Sequence, residues 1–337
     1  MPLTHPQRPS SGLAASRSGA TGLIVAAMAP AALASVAWPL LTYTLSLAAF
    51  GLAHVLWELH YVRARFGPRL EVSLKRLLGA LLLAVVALRV SRIGDVTSTS
   101  TSGALELLVV VALCAAVLPA LWSLRRRNAV LGAALVLLLG AGLAISPVGT
   151  LLLLAVLHNL TPVGLLVEAA PPGHRRRTLA GAAAVFVGVP LLIATGLPYA
   201  TLHAAAPALL AAEASVLPAG PLQAHLSAYL PRAWHSSGWA LHAFSALVFA
   251  QCAHYAAVIH VLPRHLDERE RLTSRQRYAI AAACAILFIA FALDFGQTRS
   301  WYGVAAAVHA WIELPILIFF LGTLAPIAAA SSAAAAR

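Results

Sequence analysis

Charge is scarce in this sequence and one kind is nearly missing: Asp, Glu, Lys and Arg together make up 10% of the chain, and Lys75 is its one lysine. No GxxxxGK[ST] loop occurs, so with that single lysine nothing supports nucleotide-driven chemistry. Cysteine occurs three times, at Cys114, Cys252 and Cys284, each inside an apolar segment. That leaves neither a disulfide framework nor a CxxC thiolate site, and packing is the role that remains. A GxSxG nucleophile elbow, an HExxH zinc signature and a CxxCH haem-attachment sequence are all missing. So are the clustered HxxxH and HxxHH boxes of membrane desaturases and hydroxylases.

What is abundant is apolar surface. Hydrophobic residues make up 61% of the chain and the mean hydropathy is +0.85, more than a soluble fold can hide, so the sequence predicts an all-α, polytopic membrane bundle. Windows of about 20 apolar residues give about ten transmembrane helices, at 21–37, 39–62, 72–90, 103–122, 129–146, 147–169, 178–198, 238–262, 277–296 and 301–325. Residues 1–20 are expected to be a polar N-terminal tail, 21–325 a single transmembrane domain with an exterior loop at 199–237, and 326–337 a C-terminal tail. The first apolar run, ending at Ala34-Ser35-Val36-Ala37, is expected to be an uncleaved helix rather than a signal peptide.

The arginines test this count independently. If the spans alternate, 19 of the 23 basic residues fall on one side and only Arg89, Arg92, Arg232 and Arg299 on the other. By the positive-inside rule both termini are cytoplasmic. The formal net charge of +12 thus reports topology and gives no basic face for nucleic acid. Arginine in place of lysine, with abundant alanine, suggests a GC-rich bacterial genome and so a multi-pass protein of the cell inner membrane.

Polar side chains inside the spans then stand out, because a charged group at a helix centre costs on the order of 2.5 to 3.5 kcal/mol. The segment GLAHVLWELHYVRARF, beginning at Gly51, carries His54 and Glu58; GVAAAVHAWIELPILIF, beginning at Gly303, carries His309 and Glu313 at the same i, i+4 spacing. Residues four apart share a helix face, so each pair offers a nitrogen and an oxygen ligand in one direction. His158 and His254 lie on two further spans. Counted from the outer end of each span, His54 is about 15 residues in, His158 about 11, His254 about 16, His309 about 8 and Glu313 about 12, a slab roughly 12 Å thick. Imidazole and carboxylate without thiolate suits iron, zinc or manganese. His54, His158, His254, His309, Glu58 and Glu313 are therefore the candidate metal ligands, with Glu58 and Glu313 also candidates for proton transfer. Asn159, Gln251 and Tyr255 are candidate supports for the imidazoles. The alternative is that each histidine is a hydrogen-bonded packing residue between helices.

Other polar residues carry plainer expectations. His60, His260 and His265 lie at the arginine-rich boundary, and His203, His225 and His235 fall in the solvated exterior loop. Glu106, Asp294, Arg89 and Arg299 are placed to pair across helices near the outer boundary, and Glu168 to meet Arg175–Arg177.

Isolated histidines on separate spans, at positions 54, 158, 254 and 309, are similar in kind to the arrangement in the bacterial Brp/Blh carotene-cleaving membrane oxygenases. That likeness of architecture implies a histidine-bound iron acting on an apolar polyene. The leading expectation is a membrane-embedded, metal-dependent oxidoreductase with non-haem iron, of oxygenase, hydroxylase or desaturase type, acting on a lipid-soluble substrate that enters from the bilayer. Its electron donor is not named by the sequence, and zinc or haem b are the other cofactors weighed. Two alternatives stand beside it: a b-type haem membrane protein with histidines as axial ligands, and a proton-coupled transporter using the same His/Glu set as a relay.

Overall fold

A computed structural model describes residues 28–210, 215–216 and 218–323. Both expected tails, the first seven residues of the first expected span and the last two of the tenth lie outside the described residues. Among the described residues the fold is an all-α bundle, and seven helical segments are long and apolar enough to cross a membrane, eight if one bent pair counts as a span. Together they mark a multi-pass membrane protein.

The helices follow the apolar runs. A short helix α1 (Met28–Ala37) leads into α2 (Pro39–Phe66), whose proline at the first helical position lacks only an N–H that would be unpaired there anyway. Helix α3 (Val72–Ile93) is 22 residues long but carries Lys75, Arg76, Arg89 and Arg92, which keeps it out of the set of seven. Helices α4 (Thr99–Ala116) and α5 (Leu118–Leu124) form one continuous segment, followed by α6 (Arg126–Ile145). The pair α7 (Pro147–His158) and α8 (Thr161–Ala169) is the bent one, turning by 42°. Next come α9 (Arg175–Ala183), a π-helical turn at Ala184–Gly188, α10 (Val189–Ala194) and α11 (Leu197–Ala205). Gly196 joins the last two with φ +75°, and a Cβ there would come within 2.8 Å of the His242 ring, so the position takes glycine for two reasons.

The segment after α11 folds over the end of the bundle. Ser215–Val216 pairs antiparallel with Gly220–Pro221, a one-turn helix α12 (Gln223–Leu226) follows, and Leu226 and Leu230 pack into the core with Tyr43, Phe244 and Phe295. Helix α13 (Ala240–Ala256) ends in a π-helical turn at Ala257–Val261, and α14 (Ser274–Leu293) and α15 (Phe295–Thr323) complete the fold.

Burial separates central helices from peripheral ones. The apolar window of the α13 segment is 67% buried and those of the α2 and α15 segments 50%, against 6% for α14 and 11% for the segment containing α9 and α10. Helix α2 packs on α13, α14 and α15, and α15 also meets α3, α4 and α8. The helices that carry His54, His254 and His309 are therefore the central ones. Leu137, Ile286 and Leu293, by contrast, point outward as lipid-facing residues do.

Candidate metal centre

Two devices aim the side chains. On α2 and α15 the i, i+4 spacing places His54 above Glu58 and His309 above Glu313, on faces that meet where these helices pack. On α7 the device is a break. Pro162 has no N–H for the carbonyl of His158 four residues earlier, so the ladder opens there, the Thr161 hydroxyl donates to that carbonyl at 2.8 Å, and the span bends. His158 thus ends a helix with its ring turned toward α15. A π-helical turn begins three residues after His254, an irregularity frequent near functional sites.

The four imidazoles converge. His309 Nε2 lies 2.9 Å from His158 Nε2 and 3.2 Å from His54 Nε2, and His254 Nε2 lies 3.2 Å from Glu58 Oε2. His158 Nδ1 is 3.1 Å from Glu313 Oε2, a close approach without hydrogen-bond alignment. All six side chains belong to two overlapping donor sets, each with its ligand atoms within 4.8 Å of one another. One set is His54, His158, His254 and His309; the other is Glu58, His158, His309 and Glu313. His158 and His309 belong to both. Glu58 and Glu313 are fully buried, and His54, His254 and His309 are at most 2% exposed.

Hydrogen bonding alone serves this cluster poorly. His54 Nδ1 lies 3.3 Å from the Phe50 carbonyl; donating its proton there leaves Nε2 as a bare lone pair facing the centre, the tautomer a metal ligand needs. His309 Nε2 faces two other imidazole nitrogens, and one N–H can serve only one of them. Glu58 Oε1 and both Glu313 oxygens are buried without a hydrogen-bond donor, an arrangement that costs about 1–3 kcal/mol per group or more. A cation removes all three problems at once. Two nitrogens held about 2.0–2.1 Å from one ion stand roughly 2.8–3.4 Å apart, which is the range the imidazoles occupy. The cluster can therefore hold a metal ion.

The surroundings differ from expectation in instructive ways. Tyr255 stacks on the His54 ring, centroids 4.0 Å apart, and fixes its plane. The side chains of Asn159 and Gln251 do not reach the imidazoles among the described residues: Asn159 donates to the carbonyls of Ala155 and Val156, while Gln251 bonds Ser46 and accepts from Tyr229. Glu168 meets Arg65 at 3.1 Å and Arg69 at 3.4 Å rather than Arg175–Arg177, because α8 ends beside the end of α2. Arg89 and Glu106 pair as expected, in a fork of 2.6 and 2.8 Å, and Trp311 Nε1 donates to the same carboxylate at 2.7 Å. Asp294 instead caps the first turn of α15 through the Gln297 N–H. His225 is buried, not solvated: its Nε2 lies 2.9 Å from the Ala219 carbonyl and its Nδ1 accepts from Arg299 at 3.1 Å.

A cavity of about 460 Å³ leads to the cluster. Its inner end is formed by the four histidines, its walls by Leu151, Leu152, Ala155, Ala306 and four tyrosines, and its mouth by Arg89, Arg92 and Arg299 under the cap segment at Ser227–Tyr229. No family model, curated protein or solved structure matches the chain.

Proposed function

We propose that the protein is an integral membrane oxidoreductase that uses a non-haem metal, iron by the chemistry of its donor set, on a lipid-soluble substrate held in the cavity. The observation that carries this reading is the convergence of four imidazoles and two carboxylates, drawn from four separate spans, at the buried end of a cavity walled by leucine, alanine and tyrosine side chains. Nitrogen and carboxylate ligands without thiolate are the set that non-haem iron uses with dioxygen, and iron bound there would supply the redox step. The chain's own contribution is separable. His54, His158, His254 and His309 would hold and orient the ion, Glu58 and Glu313 would balance its charge and hold or release a proton beside it, and burial of all six in the bundle would limit access of water.

Haem fits less well, since axial nitrogens on opposite faces of a porphyrin stand about 4 Å apart with the ring between them, whereas His158 and His309 face each other at 2.9 Å. A proton-coupled transporter is the second reading. It is favoured by the broken span at His158 and by the π-helical turn after His254, irregularities of the kind that line transport sites. The basic-residue asymmetry supports ten crossings with cytoplasmic termini, and arginine in place of lysine with abundant alanine supports a bacterial inner membrane.

The test is elemental analysis, with an absorption spectrum, of protein purified from its own membrane in the absence of chelators. The reading expects iron near one equivalent per chain and no Soret band. Folded wild-type protein that is free of metal would overturn it, and proton flux in vesicles without bound metal would favour transport.

A further inference from the structure

The cavity's charge is one-sided. Arg89, Arg92 and Arg299 line its mouth, and none of the described residues that line it is acidic. Arg89 is already spent, since its guanidinium is forked onto Glu106, outside the lining. Arg299 donates to His225, which accepts through a bare Nδ1 while its Nε2 serves the Ala219 carbonyl, so this partner is an uncharged ring and leaves the Arg299 charge unbalanced. The Arg92 side chain makes no hydrogen bond or ion pair among the described residues, although it is half-buried. Three guanidiniums therefore converge on one opening with the single Glu106 carboxylate, itself paired to Arg89, as the counter-charge that also reaches Arg92, and the mouth keeps a net positive charge. Cations gathered at a low-dielectric mouth repel one another and concentrate anions. Two guanidiniums also present the forked donors that match carboxylate and phosphate oxygens.

We infer that the cavity takes an amphipathic anion, with a carboxylate or phosphate head held by Arg92 and Arg299 and an apolar tail reaching down between α7 and α15 to the histidines. The volume suits one small ligand, as sites of roughly 300–1,000 Å³ do. The mouth lies at the end of α3 remote from the Arg65–Glu168–Arg69 cluster, where the head would meet water while the tail stays in the apolar layer. The inference rests on the proposed function only for the role of the tail's buried end; capture of the head needs no metal.

The experiment compares three probes with one tail, oleate, oleyl phosphate and oleyl alcohol, binding to the full-length protein in lipid nanodiscs. Metal content is measured on the same samples. Wild-type protein is expected to bind at least one of the two anions about tenfold or more tightly than the alcohol, and which anion wins separates a free fatty acid from a phosphate headgroup. Arg92→Gln is expected to erase that preference and Arg92→Lys to restore part of it, both with wild-type metal content. Equal binding of the three probes by wild type, or a preference that survives in both Arg92→Gln and Arg299→Gln, overturns the inference. Anion preference in wild-type protein that holds no metal upholds it while the oxidoreductase reading fails; metal without anion preference does the reverse.

Discussion

The Nε2 atoms of His158 and His309 face each other at 2.9 Å inside the bundle. Each of these residues also belongs to both donor sets, the all-histidine one and the one with Glu58 and Glu313. They are the hinge of the centre, and the other four side chains are its two wings.

That sharing predicts unequal effects of histidine removal. His309→Ala breaks both sets and is expected to abolish metal binding. His54→Ala leaves Glu58, His158, His309 and Glu313 in place, so metal should be retained, at reduced affinity. Elemental analysis after dialysis against graded chelator measures both, and equal losses in the two variants would contradict the two-set geometry.

The buried carboxylates make the opposite prediction for metal-free protein. Glu313→Met replaces a fully buried group whose oxygens meet no donor with an apolar side chain of similar length. Stripped of metal, this variant should be more stable than wild type by about 1–3 kcal/mol. Added metal should then raise the unfolding temperature of wild type more than that of the variant. Thermal unfolding with and without chelator reads both effects.

Straightening the bent span should loosen the site without touching a ligand. Pro162→Ala returns an N–H to the His158 carbonyl and allows α7 to run into α8. His158 would swing away from His309, with a fall in metal affinity of about tenfold or more. An unchanged affinity would show that packing, not the proline, sets the ring's position.

Glu106 holds a different part of the bundle. It accepts from Arg89 and from Trp311, tying α3 and α15 to α4. Glu106→Gln leaves Arg89 half-buried beside an uncharged amide and should destabilise the fold by about 3 kcal/mol. Metal content at low temperature should not change. Denaturation in detergent paired with metal analysis tests this.

The cap segment supplies a pH dependence. Burial holds the His225 imidazole below its usual value, opposed by its contact with the Ala219 carbonyl and reinforced by the Arg299 charge. Because the folded value is depressed, the unfolded chain takes up the proton first. Stability is therefore undiminished above pH of about 6.5 and falls as the pH drops below it. Protonation also removes the lone pair that receives the Arg299 N–H. Wild type should lose more stability than His225→Gln between pH of about 7.5 and 5; parallel losses would count against it.

Much of the bundle was legible in the chain because hydrocarbon is an unforgiving solvent. Apolar runs long enough to span must satisfy their backbone internally, so each run became helix, and the i, i+4 spacing put His54 with Glu58 and His309 with Glu313. Even the bend at His158 has a local sign in Pro162. Among the described residues the full-length apolar spans number seven, or eight with the bent pair, while α3, with its four basic residues, and the short α1 stand outside that set.

Pairing between helices was another matter. Glu168 found Arg65 and Arg69, not the nearer Arg175–Arg177, because the choice depends on which helix ends lie side by side. His225 and Arg299 are far apart in sequence and met only when the cap segment folded onto the start of α15. The sequence by itself determined the membrane class, the helical layers and which side chains were expensive enough to need partners. Only the tertiary structure decided that four of those helices aim their histidines at one point, and that unbalanced arginines stand at the mouth of the cavity leading there. Local periodicity sets the face a residue occupies, whereas convergence depends on the rotation and crossing of every helix around it.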